Sequence, residues 1–248
     1  MLTLHPLHGL PLIQPGDDLC ALLGGALRSL APQAGDVLVV TSKIVAKAEG
    51  RFVHLDEVTP SLEARRIAAQ TRKDPRLVEV ILSESQAVVR AVPNVLITRH
   101  RLGFISANAG VDHSNVAGEE TTVLLLPRDP DASARQLRAG LHQRLGVWLG
   151  VVIADSHGRP HRLGTVGVAI GVAGIPGVED WRGRPDLFGN RLQHTEIGFA
   201  DMVASAATLV MGQAAEGIPA VLVRGLRFSP RDGSAAEIIR PPQLDLFP

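Results

Sequence analysis

The chain has 248 residues, and its 25 lysine and arginine side chains balance its 25 aspartate and glutamate side chains. This neutrality gives no electrostatic reason to expect nucleic acid as a partner. No apolar run reaches the length that crosses a bilayer, and the N-terminus lacks the layout of a signal peptide. We therefore predict a cytoplasmic protein without membrane contact. Cys20 is the only cysteine, which excludes an intrachain disulfide and a multi-cysteine metal site.

Hydrophobic periodicity predicts both strands and helices over the first hundred residues. Short apolar runs predict strands within 1–13 and at 37–40, 51–55, 87–90 and 95–100. Helical spacing predicts helices at 19–30, in the segment after Thr41, at 59–71 and at 74–83. Aspartates before Leu19 are suited to cap the first of these helices. Pro60 is expected at the first position of its helix, where a missing N–H is tolerated.

The second half of the chain continues this mixture of elements. Residues 102–106 are predicted to form a hairpin with the strand at 95–100. Further strands are expected at 121–126, 164–175 and 220–223, and helices from Asp129 to Leu145 and over 197–211. The glycines of 164–175 fit neither a dinucleotide fingerprint nor a phosphate loop, so they indicate a strand with close backbone packing. Residues 159–162 are basic and exposed, and the polar connection 180–190 is long enough to cover a site.

A continuous apolar run over 147–154 predicts a strand that is buried on both faces. This strand is expected to stop at Asp155 and Ser156, with Gly158 marking a turn. A carboxylate and a hydroxyl at the mouth of a rigid strand suit Mg²⁺ or Mn²⁺, particularly when a phosphate completes the coordination shell. The alternative is an aspartate that only caps the next element.

The segment 107–116 is small, polar and turn-prone, and it follows directly from a predicted strand. Asp112 and Asn115 can point oxygen atoms at a cation or a nucleotide. Asp112 paired with Asp155, each at the exit of a strand, is the arrangement that a two-carboxylate metal site requires. A loop of capping residues is the simpler alternative, and we interpret His113 as a surface residue.

Lysine occurs only at positions 43, 47 and 73, so the chain meets its general need for positive charge with arginine. Lys43 and Lys47 lie four residues apart on a short predicted helix and therefore share one face. Ser42 or Thr41 can cap this helix, and a helix N-terminus with two ammonium groups is suited to bind phosphate. It is not a Walker loop, because the glycine-rich sequence before the lysine is missing. The alternative is a solvated basic face.

The segment 211–219 ends the last predicted helix. Gly212 and Gly217 permit the backbone to approach a ligand closely, and Gln213 and Glu216 supply oxygen atoms. A simple helix stop would explain the glycines but not the glutamine. The tail at 241–248 is similar to the short peptide that bacterial partners insert into the sliding clamp, although packing on a neighbouring subunit is the preferred interpretation.

These segments together resemble the coenzyme F420-0:L-glutamate ligase (F420:γ-glutamyl ligase) family. The matching runs occur in family order across nearly the whole chain, at 10–13, 42–50, 108–116, 155–159, 167–171, 211–213 and 217–221. The sequence is similar to the stand-alone form, because it carries no nitroreductase-like extension. Met202 departs from the family pattern, in which an acidic residue is expected at this position.

The resemblance implies an α+β fold in which mixed sheets are flanked by helices. It implies one unit over 1–248, or two intimately joined subdomains, and a homodimer with sites near the subunit interface. The implied reaction is the GTP-dependent addition of L-glutamate, through a γ-glutamyl linkage, to coenzyme F420-0 at the lactyl-phosphate side chain of its deazaflavin. The implied cofactors are two divalent cations, Mg²⁺ or Mn²⁺, with K⁺ as a stimulating ion.

Carried over by position, the resemblance implies that Asp112 and Asp155 hold one metal and that Ser156 and Gln213 hold the second. It assigns Asp112, Asp155 and Lys47 to catalysis. The residues implied to bind GTP are Leu10, Pro11, Leu12, Ile13, Ser42, Lys43, Lys47, Asn115, Met211, Gly212, Gln213, Ala214, Ala215, Glu216, Gly217 and Ile218.

These residues can support phosphorylation of the acceptor carboxylate to an acyl phosphate, followed by attack of the glutamate amine. No protein nucleophile is then needed, which agrees with the position of Cys20 outside every motif. Two other classes remain open at this point. A metal-dependent phosphohydrolase would share the carboxylates, and a non-catalytic nucleotide-binding protein would share the phosphate site.

Overall fold

A computed structural model describes residues 1–116 and 121–245 of the chain. The strands in this part are β1 (Thr3–Pro6), β2 (Val37–Thr41), β3 (Phe52–His54), β4 (Ser85–Val92), β5 (Val95–His100), β6 (Ile105–Ala107), β7 (Thr122–Leu124), β8 (Gly150–Arg159), β9 (Arg162–Ala173), β10 (Glu179–Asp180), β11 (Glu196–Ile197) and β12 (Ala220–Arg224). The α-helices are α1 (Leu19–Leu27), α2 (Ser42–Ala48), α3 (Leu62–Thr71), α4 (Pro75–Ser83), α5 (Pro130–Leu145) and α6 (Phe199–Met211). The predicted α+β fold class is confirmed.

The largest sheet has five strands in the order β1-β12-β2-β8-β9. β2 and β8 run parallel, and the other neighbouring strands are antiparallel. Side chains of α1 and α5 pack on one face of this sheet, and side chains of α6 pack on the other. Because helices cover both faces, β2 and the first part of β8, Gly150–Ala154, are almost entirely apolar and do not alternate with polar residues.

A smaller part of the chain builds on the antiparallel sheet β4-β5-β6 and the pair β3-β7. Its core lies between these strands and the helices α3 and α4, with Ile67, Ile81 and Leu96 nearly inaccessible to solvent. The predicted hairpin is confirmed, because β6 pairs antiparallel with β5. Glu84, at the end of α4, is bound by Arg51 and Arg101 and so ties α4 to both groups of strands.

The prediction that the central strand stops at Asp155 is wrong. β8 continues to Arg159 because β9 pairs with it along its whole length, so that Asp155 lies opposite Val168. Gly158 therefore lies within the strand, and the chain turns only after Arg159. The predicted start of this strand, at residue 147, is also wrong. Trp148 precedes the strand and is 46% exposed, and its ring stacks on His142.

Local capping signals were correct at some helices and wrong at others. Asp18 caps α1 through the backbone N–H of Ala21, but α1 ends at Leu27 rather than at residue 30. Pro60 does not begin α3, because Ser61 is the N-cap and the helix starts at Leu62. Thr41 occupies the N-cap position of α2 but makes no side-chain capping bond.

The glycine-rich strand β9 packs closely against helical segments, as predicted. A side chain at Gly167 would collide with Thr208 of α6, and one at Gly171 would collide with the backbone of Pro130. The connection 180–190 lies outside the large cavity described below. None of the described helices combines the length and apolar character needed to cross a membrane. The tail prediction covers residues 241–248, of which 246–248 lie outside the described residues, and Pro242–Leu244 forms a 3₁₀ turn.

Candidate active site

A cavity of about 1010 Å³ opens at the end of the parallel strand β2. Its walls come from the N-terminal segment, α2, the loop after β6, the middle of β8 and the segment after α6. Every residue that the family resemblance assigns to catalysis, metal binding or GTP binding lines it: Leu10, Pro11, Leu12, Ile13, Ser42, Lys43, Lys47, Asp112, Asn115, Asp155, Ser156, Met211, Gly212, Gln213, Ala214, Ala215, Glu216, Gly217 and Ile218. The structure therefore brings together segments that lie far apart in the sequence.

The cavity exists because β8 is longer than its parallel neighbour. β2 ends at Thr41, which pairs with Ala154, and the chain then turns into α2. Asp155 and Ser156 consequently lie just beyond the end of β2. Successive residues of a strand point to opposite faces of the sheet, so these two side chains reach the cavity from different faces of β8. Ligands commonly bind beyond the carboxyl ends of parallel strands, which is the place these two residues occupy.

The Asp155 carboxylate is held at both oxygen atoms. Ser42 Oγ donates a hydrogen bond of 2.7 Å to Oδ1, and His157 Nε2 lies 3.0 Å from Oδ2. His157 is buried, and its ring packs against the ring of Phe104 at 4.9 Å between centroids. Sequence reasoning did not single out His157. The alternation of a longer strand would have revealed it, because residues 155 and 157 share one face.

Asp112 is held by a neighbouring cation and by its own loop. Lys43 Nζ lies 2.7 Å from Oδ2, while the backbone N–H and the hydroxyl of Ser114 donate to Oδ1 at 2.7 and 2.9 Å. Burial raises the pKa of this carboxyl, but Lys43 and Ser114 outweigh burial, so the pKa is lowered overall. Asp112 was predicted to follow a strand directly. It instead follows a short 3₁₀ turn, and it forms a single β-bridge with Leu124.

The two lysines of α2 face the cavity and the loop at 112–115. Lys43 Nζ donates to the carbonyl of Ser114 at 2.6 Å, and Lys47 Nζ donates to the carbonyl of Asn115 at 2.6 Å. Burial lowers the pKa of Lys47, and the nearby charge of Lys43 lowers it further. Sequence reasoning missed Ser114. Aspartate side chains in turns commonly accept a hydrogen bond from the backbone two residues further on, as Asp112 does from Ser114.

The segment after α6 closes the cavity from the opposite side. Gln213 Oε1 accepts a hydrogen bond of 3.0 Å from Ser156, and Asn115 Nδ2 donates to the carbonyl of Ala214 at 2.9 Å. Gly212 has a φ of +74°, and a side chain there would collide with the Glu216 carboxylate. The glycine is therefore required by the backbone conformation, whereas the Glu216 side chain could move aside.

The model of the F420-0:gamma-glutamyl ligase family matches residues 9–225. The chain belongs to this family. A protein of Methanopyrus kandleri named coenzyme F420:L-glutamate ligase is 49% identical over 241 residues, which cover 95% of this chain and 93% of that protein. A protein of the same name from Methanothermobacter thermautotrophicus is 44% identical over 250 residues, covering 99% and 98%. The prediction of an enzyme of this family is confirmed.

A third relative of the same name, from Archaeoglobus fulgidus, is 44% identical over 242 residues, 98% of this chain and 94% of that protein. The matched region of the family spans the cavity walls from the N-terminal segment to β12. The family match therefore covers four of the five strands of the central sheet, all but β1, together with the smaller part of the fold.

The side chains that the family resemblance assigns to metal binding offer only oxygen atoms. Asp112, Asp155, Ser156 and Gln213 supply carboxylate, hydroxyl and amide oxygens, a set that suits Mg²⁺ or Mn²⁺ rather than a softer metal. Across residues 1–116 and 121–245, no group of three or more His, Cys, Asp and Glu is arranged to hold a metal. A cation in this cavity would therefore complete its coordination with hydroxyl, amide, phosphate or water oxygens.

Proposed function

We propose that the protein is a GTP-dependent ligase that joins L-glutamate to coenzyme F420-0 through an acyl-phosphate intermediate. Membership of the family and the names of the relatives support the ligase activity. The observation that carries the GTP-dependent chemistry is the position of Lys43 and Lys47 in one cavity with Asp112 and Asp155. Phosphoryl transfer requires cationic groups beside carboxylates that can hold divalent cations.

The first step transfers the γ-phosphoryl group of GTP to the acceptor carboxylate and releases GDP. Lys43 and Lys47 bind the phosphates, and the 211–218 segment encloses the nucleotide. Asp112 and Asp155 would hold one divalent cation, and Ser156 and Gln213 the other. When bound, the two cations neutralise the charge that spreads over the transferring phosphoryl group.

In the second step the amine of L-glutamate attacks the acyl carbon, inorganic phosphate leaves, and the amine loses a proton as the amide forms. The cavity favours this step by holding both reactants in one place. The proposal also includes a homodimer, a cytoplasmic location and stimulation by K⁺. These three features rest on the sequence and its family resemblance.

The experiment incubates the protein with GTP, Mn²⁺, L-glutamate and F420-0 and analyses the products by mass spectrometry. We expect F420 carrying at least one added glutamyl residue, and GDP formation that depends on both glutamate and F420-0. Phosphate release without glutamate would instead indicate a phosphohydrolase. GTP binding without turnover, with all substrates present, would indicate a non-catalytic nucleotide-binding protein.

A further inference from the structure

A second cavity, of about 460 Å³, lies beside the first, and two strands contribute to both. On β8, Asp155 and Ser156 line the first cavity and His157 lines the second. On β6, Ala107 lines the first cavity and Ile105 lines the second. Residues two positions apart in a strand share one face and lie roughly 7 Å apart, so the two cavities are close neighbours.

The surface that connects the cavities is one face of the sheet β4-β5-β6. Arg99 on β5 lies opposite Ile105 on β6, and Ile97 lies opposite Ala107. Side chains of directly opposite residues lie on the same face of an antiparallel pair. Ile105 and Ala107 are exposed, whereas Ser106 between them is buried, so this face is the open one. An elongated ligand that lies on it can therefore reach both cavities.

The second cavity combines apolar walls with a few polar groups. Its apolar residues come from β6, β9 and the segment after β12, and they include Ile105 and Ile170. Arg99 is half-buried and makes no hydrogen bond or ion pair within the described residues. Asp201 Oδ1 accepts the backbone N–H of Ala169 at 2.8 Å, and its Oδ2 makes no hydrogen bond with the described residues. Mostly apolar walls with a few polar groups are typical of sites for small molecules.

We propose that the second cavity binds the deazaflavin ring of the acceptor, an inference that rests on the proposed function. The acceptor carboxylate and the adjacent phosphate then both lie in the first cavity, near Asp155. The ribityl chain leads from the phosphate along the open face of β6, past Ala107 to Ile105. This path is roughly 7 Å along the strand, which an extended ribityl chain is long enough to cover.

The ring matches the second cavity in polarity and in hydrogen bonding. Its three fused rings are flat and largely apolar, and one end is a pyrimidinedione, in which an N–H donor lies between two carbonyl acceptors. Arg99 and Arg240 line the cavity and supply donors, and Asp201 supplies an acceptor. A guanidinium group can also stack on the face of an aromatic ring.

L-Glutamate also carries carboxylates that an arginine would bind, but the second cavity fits it less well. Its amine must reach the acyl carbon in the first cavity. His157 stands between the second cavity and Asp155, with Nε2 3.0 Å from the carboxylate. The acceptor passes this side chain by means of its ribityl chain, whereas glutamate has no comparable extension.

The test measures the Kd of two ligands by the fluorescence of their deazaflavin, with GTP absent. One ligand is F420-0, and the other is the deazaflavin alcohol, which keeps the ring and the ribityl chain but lacks the lactyl-phosphate group. The wild-type protein is expected to bind both. Arg99→Gln should weaken both by the same factor, about tenfold, as is typical when a hydrogen bond from a charged donor is lost. Ile105→Trp, which fills part of the second cavity, should also weaken both.

Arg90→Gln is a matched control, since Arg90 is an exposed arginine on β4 of the same sheet and lines neither cavity. It should leave both Kd values at those of the wild type. In steady-state assays, Arg99→Gln and Ile105→Trp should raise the KM for F420-0 about tenfold. The KM for GTP and the KM for L-glutamate should stay within twofold of the wild type.

Wild-type Kd values for the alcohol in both Arg99→Gln and Ile105→Trp would overturn the inference. So would a loss confined to F420-0, because Arg99 would then contact the phosphate and not the ring. A wild-type protein that binds F420-0 but not the alcohol would also overturn it, since the ring would contribute no affinity. A raised KM for L-glutamate with an unchanged Kd for the alcohol would assign the second cavity to glutamate.

These results differ from a failure of the proposed function. In that case the wild-type protein would itself form no glutamylated product. The Kd values of the alcohol would still show whether the second cavity binds the ring, because that measurement needs neither GTP nor turnover.

Discussion

The Asp155 carboxylate, which we propose binds a divalent cation, is held in one orientation. Ser42 and His157 fix its two oxygen atoms from opposite sides, and His157 is itself confined by the ring of Phe104. A carboxylate that is held in this way need not be reoriented when a cation binds. Groups that orient metal ligands commonly change metal affinity or activity by about 10- to 100-fold when removed.

We expect His157→Ala to weaken Mn²⁺ binding and to lower kcat by about 10- to 100-fold. His157→Gln should retain much of both, because its amide N–H can reach the same carboxylate oxygen. Mn²⁺ affinity, measured by electron paramagnetic resonance without substrates, checks the prediction independently of turnover. The control is His142→Ala, which removes a ring that stacks on Trp148 outside the cavity. Equal Mn²⁺ affinity in wild type and His157→Ala would show that His157 does not orient the carboxylate.

Three lysines allow a direct comparison of charge inside and outside the cavity. Lys47→Ala is expected to raise the KM for GTP about tenfold or more, because it removes an ammonium group from the proposed phosphate site. Lys73 is the one lysine that does not line the cavity. Lys73→Ala also removes one positive charge and should leave the KM for GTP unchanged. An unchanged KM in Lys47→Ala would assign Lys47 to a structural role, through its bond to the carbonyl of Asn115.

At the scale of elements, Glu84 joins α4 to the strands around it. Arg51 Nη2 and Arg101 Nε each lie 3.0 Å from the same carboxylate oxygen. Burial alone would raise the pKa of Glu84, but His100, Arg101 and Arg51 together lower it to about 2 from an ordinary value of 4.5. A buried carboxylate between two guanidinium groups is costly to remove, since the arginines would lose their counter-charge.

We expect Glu84→Gln to lower the free energy of unfolding by about 3–5 kcal/mol at pH 7. The folded-state pKa lies below the unfolded one, so this stabilisation is complete above about pH 4.5 and is lost as the pH falls toward 2. The difference between wild type and variant, measured by urea unfolding, should therefore be large at pH 7 and small near pH 2.5. A difference that stayed constant over this range would mean that charge on Glu84 does not contribute.

The edge strand β9 shows how aspartates complete the central sheet. Asp201 accepts the backbone N–H of Ala169, and Asp131 accepts that of Val172. Asp232 does the same for Gly174, immediately after the strand. An edge strand with unused N–H groups can pair with other chains, and side-chain acceptors prevent this. Burial raises the pKa of Asp201, and the hydrogen bond from the Ala169 N–H offsets part of this rise.

Sequence reasoning located the cavity residues because each lies in a segment with its own local signal. Lys43 and Lys47 share a helical face, Asp112 lies in a turn-prone segment, and Asp155 follows an apolar run. The end of β8 could not be predicted, because a strand continues as long as a partner pairs with it, and β9 comes later in the chain. His157 was missed for the same reason.

At the scale of the whole molecule, the cavity lies between the central sheet and the smaller part of the fold. Asp155 belongs to β8, whereas Asp112 belongs to the loop that follows β6. A ligand that contacts both should stabilise the folded chain, because it binds the native arrangement and not the unfolded one. At 100 times its Kd, such a ligand adds about 2.7 kcal/mol to the free energy of unfolding.

We therefore expect GTP with Mn²⁺ to raise the Tm by about 5–10 °C, since 1 kcal/mol shifts the Tm of a chain of this size by roughly 2–4 °C. Removal of Mn²⁺ with a chelator should reverse most of the shift. Asp155→Asn should have a Tm near that of the wild type without ligands but should lose the shift, together with GTP turnover. Asp180→Asn changes an exposed carboxylate paired with Arg182, and this control variant should keep the full shift in Tm. A full shift in Asp155→Asn would mean that GTP and Mn²⁺ bind without the strand residue on which the proposed chemistry depends.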